Sequence, residues 1–401
     1  MSSFLYGLGL SAVYPGLWLY LRDVGAPLEF YAFVLGAYSL GLTLSSPLFG
    51  YLFNISYKVP VVISALVIAG ASIGYTFADN QWVILVLRLI QGLGAGQIAL
   101  LMSYSARNST VSKRTKIIAQ LNSSLTLGYV CGPLMATILG FSPSLTIFDR
   151  KVHSVALNGI LTALTQLVIC LMTLIWFREP ERGMDMEIRM DEDQRDEYTS
   201  NGHYISITHS NLRLILFATG YFIESVVFSA YEMLSVPVGH DIFGWDRVEV
   251  GMAWTVVSLI CYLTYIVGGS MSNDVSDDIF LYSGLVSQSV GLIGLRHWGK
   301  TDWGFIAFGT LTLIGYSSSS LLFEVLFSKD PDTSEIGKFM GILNSIAALA
   351  RVGGPYFFGY VYRTRGFDFI FLSLATISLT LALASFVVQY IFRYRKIRGG
   401  I

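Results

Sequence analysis

The stretch from Leu85 to Ala106, LVLRLIQGLGAGQIALLMSYSA, is long and apolar enough to cross a bilayer, yet it carries an arginine, Arg88, inside it. A helix that spans the hydrocarbon core needs ~20 mostly apolar residues. A charge at that depth costs ~2.5–3.5 kcal/mol on insertion scales, so it faces a bundle interior or a wet cavity rather than lipid. Gln91 follows three residues later. Gly92 and Gly96, four apart, let another helix approach closely. The stretch therefore reads as the wall of a polar pathway through a helical bundle.

Composition excludes most other classes. The chain is 53% hydrophobic and 13% charged, against ~25% charged in soluble domains. A net charge of −1 names no partner, and no basic patch interleaved with aromatics points to nucleic acid. Cys131, Cys170 and Cys261 all fall inside apolar segments, no Cys/His spacing suits a metal, and the five histidines are scattered. No P-loop and no local catalytic constellation is present, so the sequence predicts neither an enzyme nor a nucleotide-driven pump, and no cofactor or metal. The first apolar run, from Ser3, is too long for a cleavable signal peptide.

Twelve segments meet the length rule: 3–21, 29–53, 60–78, 82–106, 117–140, 155–177, 212–235, 248–271, 278–296, 303–327, 337–361 and 367–392. Most connections are short. One, 178–211, is long and polar with nine acidic residues, and reads as a solvated linker. It divides the chain into a six-helix bundle over 1–177 and a second over 212–401. With the N-terminus in the cytosol, sixteen Lys and Arg residues lie inside, eight outside and two, Arg88 and Arg351, in the membrane. The positive-inside rule then places both termini and the linker in the cytosol. The sequons at Asn54, Asn108 and Asn122 are expected to stay unglycosylated, because they face the cytosol or lie in a helix. Trp82, Trp245 and Trp303 fall at predicted helix starts, as an interfacial belt requires.

The halves are weakly alike. The fifth segment holds Gly128-Tyr-Val-Cys-Gly132-Pro133 and the eleventh holds Arg351-Val-Gly-Gly354-Pro355. A Gly-Pro step late in a helix frees a backbone carbonyl, so paired breaks are expected here, at a transporter's repeat interface.

Six plus six helices with a long central loop resemble the major facilitator superfamily. Arg88-Leu-Ile-Gln91-Gly92-Leu-Gly94-Ala95-Gly96 is similar to its fourth-helix motif, and Gly128-x-x-x-Gly132-Pro133 to its fifth-helix motif. The loop motif between the second and third helices is degraded to Gly50-Tyr-Leu-Phe-Asn54-Ile-Ser-Tyr-Lys58, with Asn where the family carries Asp. Longer strings, Tyr38 to Leu52, Gly92 to Ala106 and Gly337 to Phe357, together with Phe222-Ile-Glu224, resemble the lysosomal major facilitator superfamily domain-containing protein 8 family, which is linked to a neuronal ceroid lipofuscinosis. The resemblance implies a multi-pass protein of the lysosome or another endomembrane that passes a small solute or anion. Phosphate-type carriers are a near neighbour.

Charges inside the membrane are the best candidates for chemistry. Glu224 lies about twelve residues, ~18 Å, into the seventh helix, and Arg351 about fourteen into the eleventh. They are expected to pair, either as a static buried ion pair or as a protonatable carboxylate that releases the arginine to an anion. Arg88 with Gln91 is expected on the solute pathway, as are Gln97 and Asn344; Gln120, Asn122, Tyr104, Tyr316 and Ser317 to Ser320 are further wall candidates. Glu232 and Glu324 are expected as gate or interface residues. Gly92, Gly96, Gly128, Gly132, Pro133, Gly354 and Pro355 are expected to pack or break helices.

The function this predicts is a secondary carrier for a small solute or anion, linked to protons and working by alternating access. An anion channel on the same scaffold, chloride included, and a non-transporting membrane scaffold or sensor are the alternatives. The lipid bilayer and the solute are the predicted partners.

Overall fold

A computed structural model describes residues 1–53, 55–109, 111–140, 145–147, 150–152, 157–177, 207–245, 247–271, 275–329 and 336–398. Every expected span falls on a helix. In chain order these are α1 (Ser2–Asp23), α2 (Leu28–Phe53), α3 (Lys58–Thr76), α4 (Gln81–Gly94), α5 (Gln97–Arg107), α6 (Val111–Gly140), α7 (Leu157–Ile175), α8 (Ile207–Phe243), α9 (Arg247–Met271), α10 (Asp277–Trp298), α11 (Asp302–Lys329), α12 (Ile336–Arg365) and α13 (Phe367–Arg398). Among the described residues the protein is all-α apart from one unanticipated hairpin between α6 and α7, β1 (Leu145–Ile147) paired antiparallel with β2 (Arg150–Val152). Most of the acidic linker, 178–206, lies outside the described residues, as does Asn54 of the degraded loop motif. The linker's last residues, from Ile207, already belong to α8.

Nine of the described spans are long and apolar enough to cross a membrane, and α1, bent by 45° between Tyr14 and Gly16, makes ten. The break falls at Pro15, where the helix ladder lacks a donor. The two further spans, α6 and α12, carry more polar side chains than the rest, and both turn out to line the central cavity. Elsewhere the outer surface is Leu44, Leu48, Leu66, Ile73, Val86, Leu164 and their like, all exposed. Such a surface suits hydrocarbon and not water. Trp82 and Trp303 lie exposed in the first turns of α4 and α11, where a belt residue belongs.

Packing repeats after six spans. α2 lies along α12 and α6 lies along α9; α1 packs on α6 as α8 packs on α12. Glycines allow the approach. A Cβ on Gly128 would meet the Phe4 carbonyl of α1, one on Gly132 the Ser11 hydroxyl, and one on Gly354 the Ser229 hydroxyl of α8. The steps at Pro133 and Pro355 do not interrupt their helices, since α6 and α12 continue through them. The break sits instead in the fourth span, between Gly94 and Gln97. There the Ser64 hydroxyl donates to the Gly94 carbonyl and the Ser45 hydroxyl to that of Gly92 at 3.3 Å. Carbonyls freed within a membrane need such partners.

The core is continuous at one end only. At the end where α2 leads into α3, a single apolar cluster joins Phe49, Val61 and Ile118 to Phe217, Phe323, Phe327 and Met340. Toward the other end it parts into two clusters, one around Leu17, Tyr20 and Tyr75 and one around Tyr231, Leu295 and Phe371.

Candidate functional site

Between the repeated sets lies a cavity of about 190 Å³. It is walled by α1, α2, α5, α6, α8, α9, α11 and α12. Eight of its lining residues are tyrosines: Tyr6, Tyr14, Tyr31, Tyr38, Tyr129, Tyr221, Tyr265 and Tyr316. Three are charged: Glu232, Glu324 and Arg351. Tyr6 and Tyr38 join their hydroxyls at 2.8 Å across α1 and α2. Tyr316 stacks on Phe228 with ring centroids 4.9 Å apart.

Arg351 stands midway along α12, half-buried, with its Nε unpartnered. Its principal electrostatic partner is Glu232 of α8, with the Tyr14, Tyr129 and Tyr316 hydroxyls around it. Glu232 in turn faces Arg351, Arg88 and the Tyr14 hydroxyl. The expected partner, Glu224, is elsewhere. It is wholly buried outside the cavity lining, against Ser319 and Gln288, with neither carboxylate oxygen in hydrogen-bonding geometry. Glu224 turns toward Ser319 of α11 and Gln288 of α10, and Glu232, about two turns further along α8, stands opposite Arg351.

The other predicted pathway residues divide. Asn344 lines the cavity and its Nδ2 donates to the Met102 sulfur at 3.3 Å. Arg88 stands one layer behind, its guanidinium 4.8 Å from the Tyr38 ring centroid and 6.0 Å from that of Tyr14. Its NH1 donates to Gln91 Oε1 at 3.0 Å, and Gln91 Nε2 donates to the Ser72 hydroxyl at 2.9 Å. Gln97 donates to Gln166 of α7 at 3.0 Å. Gln91 and Gln97 thus tie the fourth span to α3 and α7 and do not line the cavity. Gly92 and Gly96 pack on Tyr38 and Phe49 of α2. Of the further wall candidates, Asn122, Tyr316, Ser317 and Ser320 line the cavity.

Glu324, 2% exposed, lies at the cavity floor toward the end where α2 leads into α3, and its Oε2 accepts from Asn122 Nδ2 at 3.1 Å. Below it, Arg114 of α6 donates to the Ser328 carbonyl of α11. Lys329 Nζ pairs with Asp277 at 2.5 Å and reaches Thr115 at 3.3 Å. These contacts hold the two sets together under the floor.

The tyrosine ring was not foreseen. Its signal is in the sequence, since Tyr6 and Tyr14 are eight apart and Tyr31 and Tyr38 seven apart. That spacing aligns them on one helix face, and a hydroxyl at membrane depth needs a polar neighbour.

A helical membrane protein with a central polar cavity between two repeated sets of spans is what the fold and site define. The chain belongs to the Major Facilitator Superfamily, whose model matches residues 1–236, and by that membership it is a membrane transporter. It is 23% identical to major facilitator superfamily domain-containing protein 8 of Xenopus laevis, over 99% of this chain and 92% of that protein. It is also 23% identical to the class B tetracycline resistance protein of Escherichia coli, over 90% of this chain and 86% of that one. Among solved structures, the human organic anion transporter MFSD10 superposes with a TM-score of 0.73 at 16% identity, covering 96% of this chain and 97% of that one. The proton:xylose symporter XylE superposes with a TM-score of 0.77 at 13% identity, covering 95% and 92%.

Proposed function

We propose that the protein is a secondary carrier for a small organic anion, in which Arg351 holds the anion and Glu232 competes for Arg351. The observation that carries this reading is the position of Arg351: midway in the cavity, with an unpartnered Nε and one carboxylate opposite. A guanidinium kept at bilayer depth marks a solute path more often than a packing contact, and its fork matches a carboxylate or phosphate. Arg88 adds positive potential from behind Tyr38 and Tyr14. A proton on Glu232 cancels its claim on Arg351 and leaves the guanidinium to the solute. Anion and proton then move together.

Alternating access accounts for the closed floor better than a channel does. A continuous pore needs a way past Asn122–Glu324 and the Arg114 and Lys329 contacts beneath, whereas a carrier closed at one end and parted at the other shows one continuous core and two divided ones. In this reading the bundles 1–177 and 212–401 rock about the cavity, the linker 178–211 tethers them, and the closed end is cytosolic. The likeness to the domain-containing protein 8 family supports an endolysosomal membrane, and MFSD10, an organic anion transporter, and XylE, a proton:xylose symporter, give precedents for organic anions and protons.

The test is flux into liposomes holding the purified protein, with octanoate or chloride supplied and a pH step imposed. Saturable octanoate uptake that rises as pH falls, and drops about tenfold or more in R351Q, is the expected result. A chloride current that does not saturate, unchanged in R351Q, overturns the carrier in favour of a channel.

A further inference from the structure

The cavity floor holds a charge that the anion site does not use. Glu324 is buried, lines the cavity, and has an unpartnered Oε1. Its neighbours there are the Asn122 amide and the Tyr221 hydroxyl. The repeat shows that this carboxylate is not needed for packing. Pro133 and Pro355 stand 222 positions apart, and the same interval separates Asn122 from Asn344 and Met102 from Glu324. Asn344 donates to Met102 just as Asn122 donates to Glu324. A thioether seats the asparagine on one side, so the carboxylate on the other is a chemical difference between equivalent places. An ionised group in a membrane interior is costly and needs a reason to be there.

Two helix rulers give the distance between the poles. On α12, Asn344 lies seven residues below Arg351, a rise of ~10 Å. On α11, Glu324 lies eight residues below Tyr316, the neighbour of Arg351, a rise of ~12 Å. Between the poles the wall is aromatic, with Phe228, Tyr221 and Tyr265, which suits an apolar body and attracts a cation by its ring faces.

We propose that the cavity takes an amphoteric organic solute, with an anionic group on Arg351 and an ammonium group on Glu324 about 10 Å away. This rests on the reading of Arg351 as the anion-holding group and adds the second pole. A halide or inorganic phosphate fills one pole only.

The test uses the purified protein and carboxylates of graded length with the amine on the terminal carbon: aminobutanoate, aminohexanoate, aminooctanoate and aminononanoate. Octanoate is the matched probe without an amine. Binding is read by thermal shift and by competition for octanoate uptake. Affinity is expected to rise with length, with aminooctanoate about tenfold tighter than octanoate, equivalent to about 1.4 kcal/mol. E324Q is expected to bring that ratio near one. Should E324Q fail to fold, E324D carries the test: its shorter side chain moves the poles apart, so the best ligand becomes one carbon longer. Equal affinity for aminooctanoate and octanoate in the wild type overturns the proposal while leaving the Arg351 site standing. So does a preference that survives E324Q, or an optimum unmoved in E324D. Silence to every probe overturns the Arg351 reading itself, and the amphoteric solute with it.

Discussion

Glu232 and Glu224 occupy the same helix and carry the same group, yet their surroundings assign them different work. Glu232 faces an arginine across a cavity; Glu224 is enclosed by Ser319 and Gln288. Wild-type anion uptake is expected to rise as pH falls, because protonating Glu232 frees Arg351. E232Q fixes the neutral form, so its uptake should be pH-independent and near the wild-type acid rate, as initial rates across a pH series would show. E224Q should keep the wild-type profile, which a pH-independent rate in that variant would refute. A second prediction concerns stability. R351A should lower the melting temperature in detergent more than the double variant E232Q/R351Q, because the single change leaves Glu232 without its charge partner. Sequence alone singled out Glu224 and Arg351 as the mid-membrane pair and Glu232 as a gate or interface residue. It mispaired them because depth along a helix is legible from residue counts, whereas the direction of a side chain depends on neighbours that the sequence does not order.

The helices themselves were legible because apolar length is a local property. Where they break was not. The Gly-Pro steps at Pro133 and Pro355 leave α6 and α12 continuous, and their glycines serve close contact with α1 and α8. The Gly94 to Gly96 segment breaks because serines on two other helices stand ready to take its carbonyls. Ser64→Ala should therefore cost about 1–2 kcal/mol, the price of stranding one buried acceptor, and lower the melting temperature by ~2–4 °C. A contrast between glycines tests the packing claim. Gly132→Val meets Ser11 and the backbone at Ala12, while a Cβ at Gly353 meets nothing within 4 Å. Gly132→Val should reduce yield and melting temperature sharply and Gly353→Ala should change neither; similar losses in both would show that helix propensity, not the α1–α6 contact, sets the effect.

At the scale of the whole molecule, the two repeated sets meet in one core under the cavity and separate above it. Beside that apolar core, the described residues add polar contacts at the closed end. Lys329 and Asp277, with side chains 23% and 19% exposed, pair at 2.5 Å, and Lys329 also reaches Thr115 on the opposite set. Arg114, 3% exposed, spends NH1 on the Ser328 carbonyl. The loop between the second and third helices carries Asn54 where the resembled family has Asp, so the α6–α10–α11 contacts are the ones to test as a closing latch. A latch of this kind acts on a conformational equilibrium, and each 1.4 kcal/mol removed shifts that equilibrium about tenfold. D277N, with K329M as a second variant, should raise the population open at the end where α2 leads into α3. The reporter is Asn344→Cys at the cavity floor, labelled by a membrane-impermeant maleimide from the side of the loop between α2 and α3. Labelling several-fold faster with the latch cut, and slowed again by octanoate from the opposite side, fits two sets that exchange one closed end for the other. Labelling at the same rate in every variant would mean that the apolar cluster around Phe327 and Met340 alone keeps the floor shut. The polar contacts would then fasten α10 to α11 and take no part in the transport cycle.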